Sequence, residues 1–134
     1  MTRKGEDPRL VKLTQICLAL PEAERRMSDD HADFRIRGKV FAYFLNNHHG
    51  DRIVSVCCKA ALGENVDRAS RESQRFYLPA YIGSRGWFGL RLDGKAIDWL
   101  EVQNLVELSY CLVAPKTLVK AFESPSARQH SGKN

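Results

Sequence analysis

The sequence predicts an α+β domain, in which an antiparallel sheet of about five strands carries the N- and C-terminal helices on one face. Apolar residues recur at helical spacing near both ends of the chain, and short alternating or β-branched runs fill the middle. At 134 residues the chain has the length of one domain. That domain is expected over residues 8–122, with flexible termini at 1–7 and 124–134.

The two helices of this prediction are amphipathic segments. The first starts at Pro8, which suits a first helical turn, and continues to about Leu20, where Pro21 ends it. The second extends from Asp98 to about Val113, with apolar side chains along one side. Both apolar sides should pack on the sheet.

The strands are expected between these helices. The polar stretch Glu22–Asp33 is expected to be a connection with one helical turn at most, and Ala60–Ser73 a short surface helix. Residues 46–51 are rich in turn formers and should join the second and third strands in a hairpin. The expected strands are Phe34–Arg37, Lys39–Leu45, Arg52–Lys59, Arg75–Leu78 and Gly86–Leu92.

The composition is that of a globular protein, with 43% hydrophobic and 28% charged residues. No apolar run approaches the ~20 residues that cross a bilayer, and the N-terminus lacks the apolar stretch of a secretory signal. The four cysteines include no Cys-x-x-Cys pair, which favours free thiols in a reducing compartment. We therefore expect a cytoplasmic protein without membrane contact.

Positive charge is concentrated in the middle of the chain. The formal net charge is +5, yet the segment from Phe34 to Leu92 alone holds ten basic and four acidic residues. The remaining residues are close to neutral, with eleven basic and twelve acidic side chains. A regional excess of this kind is what binding to a polyanion requires.

Strand alternation predicts a sheet face that bears cations and aromatic rings. On the last strand Phe88 and Leu90 would face the core, so that Trp87 and Arg91 point to solvent. Cations bind phosphates and aromatic rings stack on bases, which favours nucleic-acid binding. The alternative is that arginine stems cover apolar surface and bind nothing. The expected open face consists of Arg35, Arg37, Lys59, Arg75, Arg91, Tyr77 and Trp87.

Five short segments form a recognisable pattern in a fixed order. They are Ile16–Glu22, Phe34–Ala42, Phe76–Gly83, Gly86–Leu90 and Ser109–Lys116. Together they resemble the blocks of the MmcQ/YjbR family, and the resemblance covers roughly residues 10 to 122.

This resemblance implies a compact α+β fold similar to frataxin-like or secretion-chaperone-like sheets, with a "double wing" arrangement of strands. Members of the family are usually labelled DNA-binding on structural grounds. The basic and aromatic signature of the family falls here on Arg35, Lys39, Tyr81, Trp87 and Lys116. Ala80 stands where the family often has a second proline, which affects the expected stiffness of that loop.

No sequence motif indicates catalysis. The chain lacks a nucleophile elbow and a phosphate-binding glycine loop, and Ser109 has no histidine at a helpful sequence position. Asp29–Asp33 and His48–Asp51 contain metal-ligand residue types, but consecutive loop residues seldom converge on one ion. We therefore expect no enzymatic activity, no metal and no cofactor.

The prediction is a DNA-binding protein with weak sequence selectivity, for which DNA is a better partner than RNA. Neutralising about four to six phosphates would give a salt slope of roughly −4 to −5 on duplex DNA. The alternative is a protein- or small-ligand-binding module. The protein is expected to be a monomer or a weak homodimer, with Asp98, Glu101 and Glu107 as possible dimer contacts. The predicted nucleic-acid-binding residues are Arg35, Arg37, Lys39, Lys59, Arg75, Tyr77, Tyr81, Arg85, Trp87, Arg91 and Lys116.

Overall fold

The computed structural model describes residues 5–47, 50–94 and 96–122. These residues confirm the α+β class: they form a six-stranded antiparallel sheet in the order β1-β2-β3-β4-β6-β5 and four α-helices. The elements are α1 (Pro8–Leu18), β1 (Ala23–Ser28), β2 (His31–Ile36), β3 (Lys39–Asn46), β4 (Val54–Lys59), α2 (Glu64–Arg71), β5 (Phe76–Tyr77), a 3-10 turn (Gly83–Arg85), β6 (Trp87–Arg91), α3 (Trp99–Val113) and α4 (Lys116–Phe122).

The first strand was not predicted, because the stretch Glu22–Asp33 was expected to be a connection. In the structure β1 pairs with β2 at the edge of the sheet, and alternate residues are half-buried and exposed. Ala23 and Met27 pack against the core, but Arg25 stands between them in the sequence, so the apolar alternation is hidden. Polar edge strands of this kind avoid pairing with other chains.

A tight turn after β2 moves one predicted site residue off the sheet. Strand β2 begins at His31, three residues before the expected Phe34, and ends at Ile36. Arg37 and Gly38 form the turn to β3, with left-handed φ values of 49° and 82°. Arg37 therefore does not point from the sheet face as predicted.

The main core lies between the sheet and helices α1 and α3. Phe34, Ile36 and Val56 are fully buried there, together with Leu13 of α1 and Val106 of α3. The inward positions predicted for β4 and β6 are confirmed, since Val56, Cys58, Phe88 and Leu90 belong to this core.

A β-bulge in β3 supplies the core with an additional ring. Phe34 faces Ala42 and Arg35 faces Val40, so Phe41 is the extra residue of the bulge. Phe41 is fully buried and makes an edge contact with Tyr110 of α3, at 5.3 Å between ring centroids. The hydroxyl of the adjacent Ser109 donates to the Phe41 carbonyl at 2.6 Å, which ties α3 to the bulge.

A second apolar cluster lies on the opposite side of the sheet, here called the far face. Leu45, Cys57 and Trp87 are buried in it, and Ile82 from the loop before β6 packs over them. The prediction that Trp87 is exposed is therefore wrong: it points away from the helices as expected, but is only 7% exposed. In the described part of the chain, no helix is long and apolar enough to cross a membrane.

Candidate functional site

The far face has two halves of different chemistry. On the β1–β3 half, cross-strand neighbours carry opposite charges, since Glu24 faces Arg35 and Arg26 faces Asp33. Arg35 also donates from Nε to Oδ1 of Asp33 at 2.7 Å. This half is therefore close to neutral, and it offers little attraction to a polyanion.

The other half is built around a tyrosine that lies over a glycine. Tyr77 of β5 is opposite Gly89 of β6, and a Cβ atom added to Gly89 would lie 2.6 Å from Tyr77 Cζ. The Tyr77 hydroxyl is 2.7 Å from the Ser55 hydroxyl, and Cys57 Sγ is 3.9 Å from the same phenol oxygen. The absence of a side chain at Gly89 thus allows the ring to cover Ser55 and Cys57.

These buried groups are uncharged at neutral pH. Burial raises the pKa of the Cys57 thiol to about 11, and burial also raises the pKa of the Tyr77 phenol. A protonated, enclosed thiol is a poor nucleophile. The cluster is therefore suited to shaping a surface and not to covalent chemistry.

The loop between β5 and β6 encloses a cavity of about 250 Å³ against the far face, here called the tyrosine cavity. Tyr81 projects from this loop with 81% of its surface exposed and a left-handed φ of 70°. Asp51 is the carboxylate that lines the cavity. The lining residues are Tyr43, Leu45, Asp51, Tyr77, Pro79, Ala80, Tyr81 and Ile82.

Asn65 of α2 holds this loop in place, although no sequence pattern singled it out. Its side chain is only 2% exposed, and Nδ2 donates to the carbonyls of Gly83 at 2.7 Å and Trp87 at 2.9 Å. Gly86 completes the loop with a φ of 97°, and a Cβ there would lie 2.9 Å from the Ala60 carbonyl oxygen. The loop path is thus fixed at both ends of the 3-10 turn.

Three cations lie around this half of the far face. Arg91 places its guanidinium carbon 5.4 Å from the centre of the Tyr77 ring. Arg85 belongs to the 3-10 turn, and Lys59 is opposite Trp87 at the end of β4. Within the described residues none of the three forms an ion pair, so their charges are available to a ligand.

Four predicted site residues lie elsewhere. Arg37 pairs with Glu22 at 3.0 Å beside the β2–β3 turn, and Lys39 follows that turn at the start of β3. Lys116 is the first residue of α4.

Arg75 is the fourth of these residues. It was expected on the open sheet face, but it precedes the two-residue strand β5 and pairs with Glu72 at the end of α2 and with Glu101 of α3. Its guanidinium is 5.0 Å from the centre of the Phe76 ring, on the helix side. The basic residues of the central segment therefore do not form one continuous surface.

The carboxylates considered for a dimer contact all have partners within the chain. Asp98 caps α3 by accepting from the backbone amides of Leu100 and Glu101. Glu101 pairs with Arg75, and Glu107 accepts from the side-chain amide of Gln103 at 3.0 Å.

Metal binding and nucleophilic attack would each require particular side chains to be suitably placed. No group of three or more His, Cys, Asp or Glu side chains within 5–47, 50–94 and 96–122 is placed to hold a metal ion. His48 and His49 lie outside the described residues. Ser109 is fully buried, accepting from the Lys59 amide at 2.8 Å while donating to Phe41. Its hydroxyl is a structural bridge, unsuited to nucleophilic attack.

The fold is similar to that of two known structures. A Deinococcus radiodurans protein with a DUF419 domain matches with a TM-score of 0.67 and 16% identity, over 93% of this chain and 95% of that one. A Pseudomonas syringae protein matches with a TM-score of 0.57 and 16% identity, over 85% of this chain and all of the other. No curated protein matches the chain in sequence. The model of the YjbR family matches residues 18–112, and the chain therefore belongs to the YjbR family.

Proposed function

We propose that this protein binds DNA without sequence-specific contacts and without catalysing a reaction, through the tyrosine cavity and the cations around it. The observation that carries the proposal is the exposed ring of Tyr81 at a cavity whose Tyr77 ring lies 5.4 Å from the Arg91 guanidinium. Arg85 belongs to the same loop as Tyr81, and Lys59 is opposite Trp87 at the end of β4. An aromatic ring beside unpaired cations is the combination that binds nucleotides by stacking and by phosphate contact.

The proposed ligand is single-stranded DNA in preference to a duplex. A base must leave its neighbours to lie against Tyr81, and this costs least in a strand that is not paired. Asp51 lines the cavity, which disfavours a phosphate inside it, so the phosphates should bind at the rim. Stacking accepts any base, and weak sequence selectivity follows.

Fewer phosphate contacts are expected than the sequence suggested. Arg35, Arg37 and Arg75 already bind carboxylates and would have to exchange them for phosphates. Lys59, Arg85 and Arg91 are the predicted contacts on this half of the far face that no described carboxylate neutralises. With about three phosphates neutralised, log affinity should fall against log salt with a slope of about −2 on single strands.

Tyr81 supplies the surface on which a base would stack. Replacing it with alanine should weaken binding to a fluorescein-labelled oligothymidylate about 5- to 100-fold, because the base loses its stacking surface. Fluorescence anisotropy titrations between 20 and 200 mM salt, roughly the range where phosphate contacts matter, provide the measurement. Leu100→Ala is the matched control, since Leu100 is 66% exposed on α3.

The arginines should change the salt dependence. Arg85→Gln and Arg91→Gln should each reduce the slope by about 0.7 on single strands. Arg71→Gln, which removes a cation paired with Asp67 on α2, should leave it unchanged. No binding at 20 mM salt, or equal affinity of all these variants, would refute the proposal.

The alternative is a protein- or small-ligand-binding module, and the mostly apolar lining of the tyrosine cavity favours it. Under this alternative a neutral aromatic compound such as indole would perturb the NMR signals of Leu45 and Ile82, whereas oligonucleotides would not bind. Size-exclusion chromatography would show whether the protein forms the weak homodimer.

We also propose that the protein is cytoplasmic, where its four cysteines stay reduced. The double-wing arrangement of strands that the family resemblance implies is likewise part of this proposal.

A further inference from the structure

A groove on the helix side of the sheet is separate from the tyrosine cavity. It lies between α2 and α3, has a volume of about 330 Å³, and is here called the α2–α3 groove. Phe88 lines it and faces the helices, whereas its neighbour Trp87 packs on the far face. The two sites therefore lie on opposite sides of the sheet.

The wall of the α2–α3 groove contains a cation without an anion. The guanidinium carbon of Arg68 lies 5.2 Å from the centre of the Phe76 ring and 5.1 Å from that of Phe88. Its Nε is buried without a hydrogen-bond partner in the described part of the chain, and no described carboxylate pairs with it. The two rings fix the guanidinium, so an anion would bind it with little loss of side-chain entropy.

The rim of the groove leaves large apolar side chains in water. Leu108 is 61% exposed and Leu112 is 53% exposed, and both line the groove together with Leu105. Covering this surface is favourable in proportion to the apolar area removed from water. A ligand therefore gains from an apolar body as well as from a negative charge.

Glu64 limits the charge of the ligand. It lines the groove one turn before Arg68 on the same helix and makes no ion pair with it. Lys59 also lines the groove, so that its charged lining residues are two cations and one carboxylate. A single negative charge balances this excess of one positive charge, whereas a polyanion would exceed it and meet Glu64. The volume is near the lower end of ligand sites, which range over about 300–1,000 Å³, so the ligand is small.

We propose that the α2–α3 groove binds a small aliphatic carboxylate. The carboxylate would accept hydrogen bonds from the terminal Nη groups of Arg68, and the hydrocarbon chain would lie along Leu105, Leu108 and Leu112. This proposal does not rest on the proposed DNA binding, because Arg68 and the three leucines lie on the helix side of the sheet; of the groove's lining residues, Lys59 is the one that the DNA proposal also uses.

Cys111 provides a reporter inside the groove. It lines the groove and is partly exposed, while Cys17, Cys57 and Cys58 are buried. Alkylation by iodoacetamide, followed by mass spectrometry, should therefore modify Cys111 first. We expect sodium octanoate to slow this reaction in a saturable manner, and 1-octanol to require at least a tenfold higher concentration for the same protection.

Two series of measurements test the proposal. Arg68→Gln should weaken octanoate protection at least tenfold and leave octanol protection unchanged, whereas Arg71→Gln on the same helix should alter neither. If Arg68→Gln destabilises the fold, the wild-type protein still gives an answer: from butanoate to octanoate each methylene should tighten binding about three- to fourfold. Alkylation that is insensitive to octanoate, equal potency of octanoate and octanol, or no dependence on chain length would overturn the proposal.

Discussion

Replacing Gly89 with alanine is expected to displace Tyr77 from the far face and to destabilise the protein by about 1–3 kcal/mol. A Cβ atom at this position would lie 2.6 Å from Tyr77 Cζ, closer than two carbon atoms approach. The ring must move, and it then loses its hydrogen bond to Ser55, which is 2.7 Å long. Urea unfolding followed by circular dichroism should show a lower midpoint with an unchanged slope.

The same substitution should expose a thiol. Burial raises the pKa of Cys57 to about 11, so in the wild-type protein the thiol is enclosed and protonated at pH 8. Once Tyr77 leaves, water reaches the sulfur and its pKa falls towards the ordinary range, which increases the thiolate fraction. Iodoacetamide should then modify Cys57 faster, as measured by mass spectrometry in a Cys111→Ser background.

Gly94→Ala is the matched control for this prediction. A Cβ atom at Gly94 meets nothing within 4 Å, so the substitution should change neither stability nor Cys57 alkylation. If Gly89→Ala behaves like Gly94→Ala, then Tyr77 does not lie over Gly89 and our description of the tyrosine cavity is wrong. If only stability changes, the ring has shifted without opening the cluster around Cys57.

Strand alternation predicted which side chains of β4 and β6 face the helices, because both strands are central and one face of each is fully apolar. Phe88 and Leu90 pointed to the core as expected. Alternation also placed Trp87 on the far face, but it could not reveal the loop that carries Ile82 across that face. Burial by a loop depends on the tertiary path, which a local pattern does not contain.

The charge pattern correctly showed that cations are concentrated between Phe34 and Leu92. It did not show that several of these cations are neutralised by ion pairs on the folded surface. Ion pairs that neutralise Arg37 and Arg75 come from Glu22 and Glu101, which are distant in sequence. Arg35 pairs with Asp33, two residues earlier in β2, where side chains share a face. This pair was missed because the strand was expected to begin at Phe34, with Asp33 in the connection before it. A sequence count of cations therefore overestimates the charge that a polyanion would meet.

Polar residues with structural roles were the hardest to recognise. Asn65 lies in a short polar helix, where an amide side chain is ordinary, and its two backbone acceptors lie about 20 residues later, in the 3-10 turn and at the start of β6. Ser109 offered a signal, because it falls at helical spacing with Val102, Val106 and Tyr110 on the buried side of α3. A serine on the buried side of a helix must find hydrogen-bond partners, and in this protein they belong to the sheet.

Replacing Ser109 with alanine should destabilise the protein by about 2–4 kcal/mol, because two buried backbone groups lose their partner at once. The hydroxyl accepts from the Lys59 amide at 2.8 Å and donates to the Phe41 carbonyl at 2.6 Å, so it connects the bulge in β3 with the end of β4. Urea unfolding gives the loss of stability, and hydrogen exchange should be faster at the Lys59 amide. Ser70→Ala, at an exposed position of α2, should change stability by less than about 0.5 kcal/mol. A loss equally small for Ser109→Ala, with unchanged exchange at Lys59, would show that water or neighbouring groups replace the hydroxyl and that α3 is held to the sheet by apolar packing alone.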